Sequence, residues 1–388
     1  MKLKSTVNDI LNVYKSIKSR KDKYVLASEE EIVEDKSYKV SKSLHPGKIE
    51  VRVLNVTEIG PFTKTFIFTA DKLPLFKPGQ FMTLEAKIND TITSRPYSIS
   101  SSPKDTLNNP PTITLTIQRF GFFGSYIYDN LKENDTIIAE IGLGNFFYEE
   151  LRDSKNVLAI AQGGAITPFL SMARSIQNKS LDINLTILYA VKNKSDIILK
   201  DELEECLSSK VKVIYVSENL EDKDVEHGLV TSELIKKYSS GETSYFICGN
   251  LAMYDFIQEQ LDKLNVKKKY IRFAAAGQVS DISKCENYPL KLKDSIFNIS
   301  VKQGTSERTI KAKASESIAV ALERAGIKIH TACRSGICGC CQIKIEEGNY
   351  YINSKYDNRR KADLDYNYVY ACSTYPLSDL KIRININC

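Results

Sequence analysis

The stretch HTACRSGICGCCQIKI, residues 330–345, crowds four thiols into nine positions, at Cys333, Cys338, Cys340 and Cys341. Nine cysteines in 388 residues are too sparse, and odd in number, for a secreted disulfide scaffold. Metal ligation is the leading chemistry. Cys333, Cys338 and Cys341 follow a C-x4-C-x2-C spacing, which suits three of the four thiolates of a [2Fe-2S] cluster, and Cys372 in YVYACSTYPL supplies the fourth. A structural zinc is the alternative, in a binding protein without redox chemistry. Zinc sites usually pair their ligands as two short steps, whereas here three come from one loop and one from a later strand end. Cys340 falls outside the spacing and is assigned to packing, as are the isolated Cys206, Cys285 and Cys388. Gly336 and Gly339 free the loop backbone to turn N–H groups toward the sulfurs.

The flanks must hold that loop. IFNISV at 296–301 and RTIKA at 308–312 read as hairpin strands around Gly304. A helix follows, capped by Ser315, with Ile318, Leu322 and Ala325 on one face and Gly326 at its end. In order of elements, loop and fourth cysteine, residues 292–388 resemble a plant-type ferredoxin, an α+β domain of β-grasp-like form.

Upstream, KIEVRVLNVTEI, TKTFIFTA, QFMTLEAKI, TITLTIQRF and DTIIAEIG are short alternating strands between turns, which predict a small antiparallel β-barrel over 46–150. Within it SRPYSISSSP offers a guanidinium suited to phosphate and a phenol able to lie along a flavin. Gly79-Gln80-Phe81 precedes this stretch, Gly121 to Ser125 follows it as a turn, and GLGNF closes the segment.

Residues 151–275 change period. Buried strands NVLAIA, INLTILYA, VKVIYVS and SYFICG alternate with helical stretches, which predicts a parallel sheet wound by helices in an α/β domain. In the first turn, AQGGAITPFLSMAR, Gly163 and Gly164 permit close backbone approach, Thr167 can cap, and Pro168 suits the first helical position.

Together these motifs resemble the ferredoxin-NADP reductase family, in a multidomain arrangement of flavin barrel, nicotinamide domain and C-terminal ferredoxin. The resemblance assigns Arg95, Tyr97, Ser98, Gly124 and Ser125 to the flavin, and Gly163, Gly164, Thr167, Pro168, Cys248 and Gly249 to the nicotinamide nucleotide. Ser98 and Cys248 fall at the reacting centre. Gln162, Ala165 and Asn250 depart from the family's glycines and proline, and Ala274 and Ala276 stand where relatives carry a glutamate and an aromatic. The implied activity is that of an NAD(P)H:acceptor oxidoreductase, passing electrons from NAD(P)H to FAD, to [2Fe-2S], to a partner protein. FAD is preferred to FMN because the Gly121–Ser125 segment offers a place for a second phosphate. NADH and NADPH both stay open, with Lys192 and Lys194 placed to read a 2′-phosphate. The arrangement resembles the reductases that serve aromatic-ring oxygenases, phenylacetyl-CoA epoxidase and hybrid-cluster protein.

The length fits two or three domains. The N-terminal twenty residues interleave charge with apolar residues, unlike a signal peptide, and no run matches a membrane helix, so a cytoplasmic protein is expected. Lysine and arginine exceed aspartate and glutamate by six, but spread rather than striped with aromatics, which disfavours a nucleic-acid partner. The densest basic run, Arg359, Arg360 and Lys361, suggests a docking face for an acidic acceptor. Residues 1–45 form an N-terminal extension in which Val7, Ile10, Leu11, Tyr14 and Ile17 make one helical stripe, read as packed on the body, and residues 276–291 read as a linker.

Overall fold

The computed structural model describes residues 2–25, 37, 40–41, 47–89, 91–219, 225–275, 277, 279 and 281–384; Ala276 and Cys388 lie outside them. The chain divides into two units, residues 1–46 and 47–388. In the first, helix α1 (Lys2–Val25) carries the apolar stripe of Val7, Ile10, Leu11, Tyr14 and Ile17.

The second unit opens with six antiparallel strands: β1 (Lys48–Gly60), β2 (Thr63–Thr69), β3 (Phe81–Ile88), β4 (Thr91–Ser98), β5 (Ile113–Gln118) and β6 (Thr136–Leu143). They lie in the order β4-β3-β6-β1-β2-β5, and a bridge from Ile99 to Leu115 links the two edges into a barrel. Val51, Val53, Phe66, Phe68, Leu84 and Ile113 point inward and are fully buried, as the period-two pattern requires. The Gly79-Gln80-Phe81 motif has a positional role. Gln80 Nε2 donates to the carbonyls of Gly142 and Gly144, both at 2.8 Å, and its Oε1 accepts from the Lys77 N–H at 2.7 Å. Gly79 sits at φ +99°, where a Cβ would collide with the Phe146 carbonyl oxygen. Gly79→Ala should therefore cost about 2–4 kcal/mol through strain and displaced backbone. Chemical denaturation checks this; an unchanged midpoint would contradict it.

The next sheet is wholly parallel: β7 (Asn156–Gln162), β8 (Asn184–Ala190), β9 (Val211–Ser217), β10 (Val225–His227), β11 (Thr243–Cys248) and β12 (Ile271–Phe273), in the order β10-β9-β8-β7-β11-β12. Val157, Ala159 and Ala161 face one core with Phe169 and Leu170, while Leu158 and Ile160 face another with Ile257 and Leu261. Burial on both faces explains the continuous apolar run. The connection order reverses between β7 and β11, so the carboxyl ends of these strands form the crevice where doubly wound sheets bind ligands.

The third sheet contains β13 (Ile296–Gln303), β14 (Ser306–Lys313), β15 (Gln342–Glu347), β17 (Tyr368–Tyr370) and β19 (Leu380–Ile384) in the order β14-β13-β19-β15-β17, with β13 and β19 parallel. A small pair, β16 (Tyr350–Tyr351) and β18 (Tyr375–Pro376), lies beside it. Helix α2 (Ile318–Arg324) packs Ile318, Ala319 and Leu322 on the sheet. Ser317, not Ser315, is its N-cap residue, because the helix starts two residues later than the pattern suggests. Within the segment read as a linker, Ile282 and Tyr288 form a core with Tyr351 and Tyr375, and Tyr351 Oη donates to the Glu286 carbonyl at 2.6 Å.

Candidate redox site

The cluster loop leaves α2 and wraps the end of the third sheet. Cys333, Cys341 and Cys372 are buried and Cys338 is exposed. Cys333 lies by Cys338, Cys341 by Cys372, and Cys340 beside Cys338. Three thiols from this loop and one from a later strand end would suit the four ligands of a [2Fe-2S] cluster. Backbone N–H groups of Ser335 and Cys338 reach Cys333 Sγ at 3.5 and 3.4 Å, and that of Gly336 reaches Cys372 Sγ at 3.3 Å. Such donors stabilise thiolate over thiol. Gly336 has φ +72°, as expected of a turn aimed at sulfur; Gly339, at φ +76°, instead lies against the Tyr370 ring. Cys340 is half-buried beside Cys338.

A buried carboxylate clamps the two strands that carry the third and fourth cysteines. Asp363 accepts from Gln342 Nε2 at 2.6 Å and from Tyr370 Oη at 2.8 Å, and pairs with Arg360 at 3.2 Å. Gln342 follows Cys341 directly, and Tyr370 lies two residues before Cys372. The Arg360 hydrogen bond holds the Asp363 carboxyl down at about 2. A depressed folded-state value means that its stabilisation is full above the ordinary carboxylate range and is lost as pH falls toward 2. Asp363→Ala should cost about 2 kcal/mol and speed cluster bleaching several-fold, an effect read by visible absorbance during mild heating. Loss of colour at the wild-type rate would contradict the clamp. The same contacts bear on the docking expectation. Arg359 is bound bidentately by Asp357 and Arg360 by Asp363, so two charges of the run are balanced locally.

Arg95 and Tyr97 lie on β4 and face a cavity of about 250 Å³ whose opposite wall is Phe123 and Gly124. The Tyr97 and Phe123 rings stack at 6.3 Å, and burial pushes the Tyr97 phenol up, so it stays neutral. The segment expected as a turn is the start of a helix, Gly121–Asn130, which presents N-terminal N–H groups of the kind that hold phosphate. A Cβ on Gly124 would sit 2.9 Å from the Gln118 carbonyl oxygen and 3.7 Å from Tyr97 Oη. A cradle that a Cβ would fill, beside a guanidinium, fits a flavin and its phosphate. Ser98 ends β4, half-buried, and Ser125 is half-buried in the helix; neither lines this cavity.

A second cavity, about 650 Å³, opens at the carboxyl ends of the parallel strands, lined by Gln162, Gly163, Gly164, Lys192, Ser195 and Glu218 among others. Gly163 adopts φ +51°, and a Cβ on Gly164 would lie 2.6 Å from Gln118 Oε1. Thr167 is not the cap: it is already helical, and its hydroxyl donates to the Gly164 carbonyl at 3.4 Å. Thr167 and Pro168 are buried beneath the turn and do not line the cavity. Cys248 is buried, its thiol pushed up to about 12 by desolvation, and it too lies outside the lining. Gly249 rests on Gln162 and Met253, and Asn250 caps the following helix by accepting from the Met253 N–H at 2.9 Å. That cap gives the departure from proline a physical reason. Ala274 is tied in place, its carbonyl accepting from Tyr254 Oη at 3.0 Å.

The ferredoxin-like part docks on β4. Ser94 and Thr331 hydroxyls meet at 3.2 Å, Thr93 Oγ1 donates to Glu323 at 3.3 Å, and Arg95 stands 3.8 Å from the same carboxylate. His330 reaches Glu140 at 3.3 Å. Arg334, next to Cys333, pairs with Glu323 and lines the cavity of Arg95 and Tyr97. Sequence reading missed Glu323, Arg334 and Asp363. Only Arg334 left a signal, a guanidinium inside a loop of otherwise small residues.

Comparison with known proteins agrees. The family described as "Oxidoreductase NAD-binding domain" matches residues 159–259, and that described as "2Fe-2S iron-sulfur cluster binding domain" matches 301–377. The chain is 24% identical to the NADH oxidoreductase HCR of Escherichia coli, over 85% of this chain and 96% of that protein. It is also 24% identical to a glycine betaine monooxygenase reductase subunit of Chromohalobacter salexigens, over 87% and 95%. Its fold matches phthalate dioxygenase reductase with a TM-score of 0.65 at 19% identity, over 87% of this chain and 98% of that one. The chain is therefore an oxidoreductase that carries an NAD-binding domain and a C-terminal 2Fe-2S domain, with the fold and arrangement of the ferredoxin-NADP reductase-type reductases it resembles.

Proposed function

We propose that residues 46–150 hold FAD, 151–275 bind NADH or NADPH, 276–291 join the parts, and 292–388 carry the cluster on Cys333, Cys338, Cys341 and Cys372. The observation that carries this reading is the shared wall: the residue after one cluster cysteine lines the cavity formed by Arg95, Tyr97 and Gly124. When bound, flavin takes hydride from a nicotinamide two electrons at a time and gives electrons singly to a [2Fe-2S] centre. The chain's own residues set the geometry. Arg95 supplies charge for phosphate, Tyr97 and Phe123 an aromatic wall, the Gly163-Gly164 turn a close backbone approach, and Lys192 a cation over the nucleotide. Ser98 and Cys248 are assigned to the reacting centre by resemblance, and neither is among the residues that line the two cavities.

The electron exit is the outer edge of the cluster loop, where Ile337 and Cys338 are exposed. The acceptor is a partner protein, by likeness to relatives named as a monooxygenase reductase subunit and a phenylacetyl-CoA epoxidase subunit. No helix among the described residues is long and apolar enough to cross a membrane. The free thiols suit a reducing compartment, and the proposed location is the cytoplasm. Acid extraction of the purified protein should release FAD, with iron and labile sulfide in equal amounts, and NADH or NADPH should bleach both chromophores without oxygen. A colourless protein, or colour that neither nucleotide changes, would contradict the proposal.

A further inference from the structure

Phe120 and Phe122 stand 83% and 60% exposed at the mouth of the Arg95–Tyr97 cavity, which both help to line. An exposed ring alone needs no explanation, but Phe120 sits on a pinned backbone. The Arg119 N–H donates to the Phe62 carbonyl at 2.7 Å, the Arg119 guanidinium holds Asp129 through two bonds at 2.8 and 3.0 Å, and the Phe120 N–H donates to the Gln118 carbonyl at 2.8 Å. The fold thus fixes an apolar ring in solvent, where it buries little of the protein's own surface and is left for a ligand. The cavity says which ligand. At about 250 Å³ it is smaller than the roughly 300–1,000 Å³ of pockets that enclose drug-sized ligands, and FAD is larger than those. One end of the cofactor must therefore lie outside. Phe120 is the residue directly before the helix Gly121–Asn130. A cofactor with its isoalloxazine by Tyr97 and its pyrophosphate at that helix N-terminus carries its adenine out past Phe120. The nucleotide cavity, about 650 Å³, has a lining of its own in which Phe120 takes no part.

We infer that Phe120 is the platform on which the adenine of FAD stacks, with Phe122 beside it, so that the chain holds FAD at both ends and prefers it to FMN. This rests on the flavin reading of the Arg95–Tyr97 cavity. The chemistry favours a purine base, because a phenyl ring offers stacking and dispersion without hydrogen bonds, and a base brings a flat π-face to meet it. The pinned loop lowers the entropy cost of that contact.

The test equilibrates full-length protein with FAD or with FMN and reads free flavin by fluorescence. Phe120→Ala should weaken FAD roughly 5- to 150-fold, the range expected for one lost base-aromatic stack. FMN, which has no adenine, should bind Phe120→Ala and wild-type protein alike, and Phe120→Tyr, which keeps the ring, should hold FAD as the wild type does. Because the side chain is exposed, neither substitution disturbs the core, and an unchanged denaturation midpoint checks this. Arg95→Met is the control and should weaken both flavins. FAD affinity unchanged in Phe120→Ala while Arg95→Met loses both flavins would overturn the platform and leave the flavin cavity standing. An equal loss of FAD and FMN in Phe120→Ala would also overturn it, showing a contact with the flavin half in place of the adenine. Arg95→Met without effect on either flavin would overturn the flavin reading itself.

Discussion

Cys372→Ser is expected to yield a protein that keeps its flavin and loses its cluster. Cys372 is 2% exposed and is paired with Cys341 from the far side of the loop, so no neighbouring donor can replace it. With NADH or NADPH the variant should still reduce a two-electron dye, because the barrel and nicotinamide cavities are untouched. Reduction of a one-electron protein acceptor such as cytochrome c should fall by about two orders of magnitude. Serine at Cys333, Cys338 or Cys341 should do the same. Cys340→Ser should retain the iron, since Cys340 meets Cys338 without completing either thiol pair. Iron content, visible absorption and the two acceptor assays read the outcome together. Iron loss in Cys340→Ser as complete as in Cys372→Ser would sink the ligand assignment.

Gly124→Val is expected to give the converse protein, with cluster and without flavin. Gly124 is buried in the first turn of its helix, and even a Cβ there would press on the Gln118 carbonyl at 2.9 Å and approach Tyr97 Oη at 3.7 Å. The two further methyl groups of valine would project into the cavity between Tyr97 and Phe123. FAD affinity should drop by more than about 100-fold, with nucleotide oxidation lost alongside. The cluster's absorption should persist, as its ligands come from a separate core. Normal flavin content in this variant would show that the flavin lies elsewhere.

How much of this was legible in the sequence depended on whether the signal was local. Cysteine spacing is local, and the C-x4-C-x2-C run at Cys333, Cys338 and Cys341 was legible at once, whereas how Cys372 comes to lie beside Cys341 was not. The barrel strands were legible because one face of each is buried, which leaves a period of two, and the parallel strands because both faces are buried, which leaves continuous apolar runs. The helix at Gly121–Asn130 was hidden by its opening glycines, which read as a turn. Thr167 has a capping residue's chemistry, but the short helical turn at Gly163–Ile166 precedes it and moves the start of the helix. Contacts between distant segments left no trace in composition. Asp363 gains its role only when β15 and β17 pair, and Glu323 only when α2 lies against β4. The basic run at 359–361 is a different case: its carboxylate partners at 357 and 363 lie within a few residues and offset charges that a tally counts as free.

The central claim is that electrons pass in series from nucleotide to flavin to cluster. It is tested most directly by mixing NADH or NADPH with the full-length protein under anaerobic conditions. Flavin absorbance is followed in real time, and samples are frozen at intervals for paramagnetic resonance of the reduced cluster. Flavin bleaching should lead and the cluster signal follow, Cys372→Ser should bleach its flavin at the wild-type rate, and Gly124→Val should show no cluster signal. A reduced-cluster signal in flavin-free Gly124→Val at the wild-type rate would contradict the series.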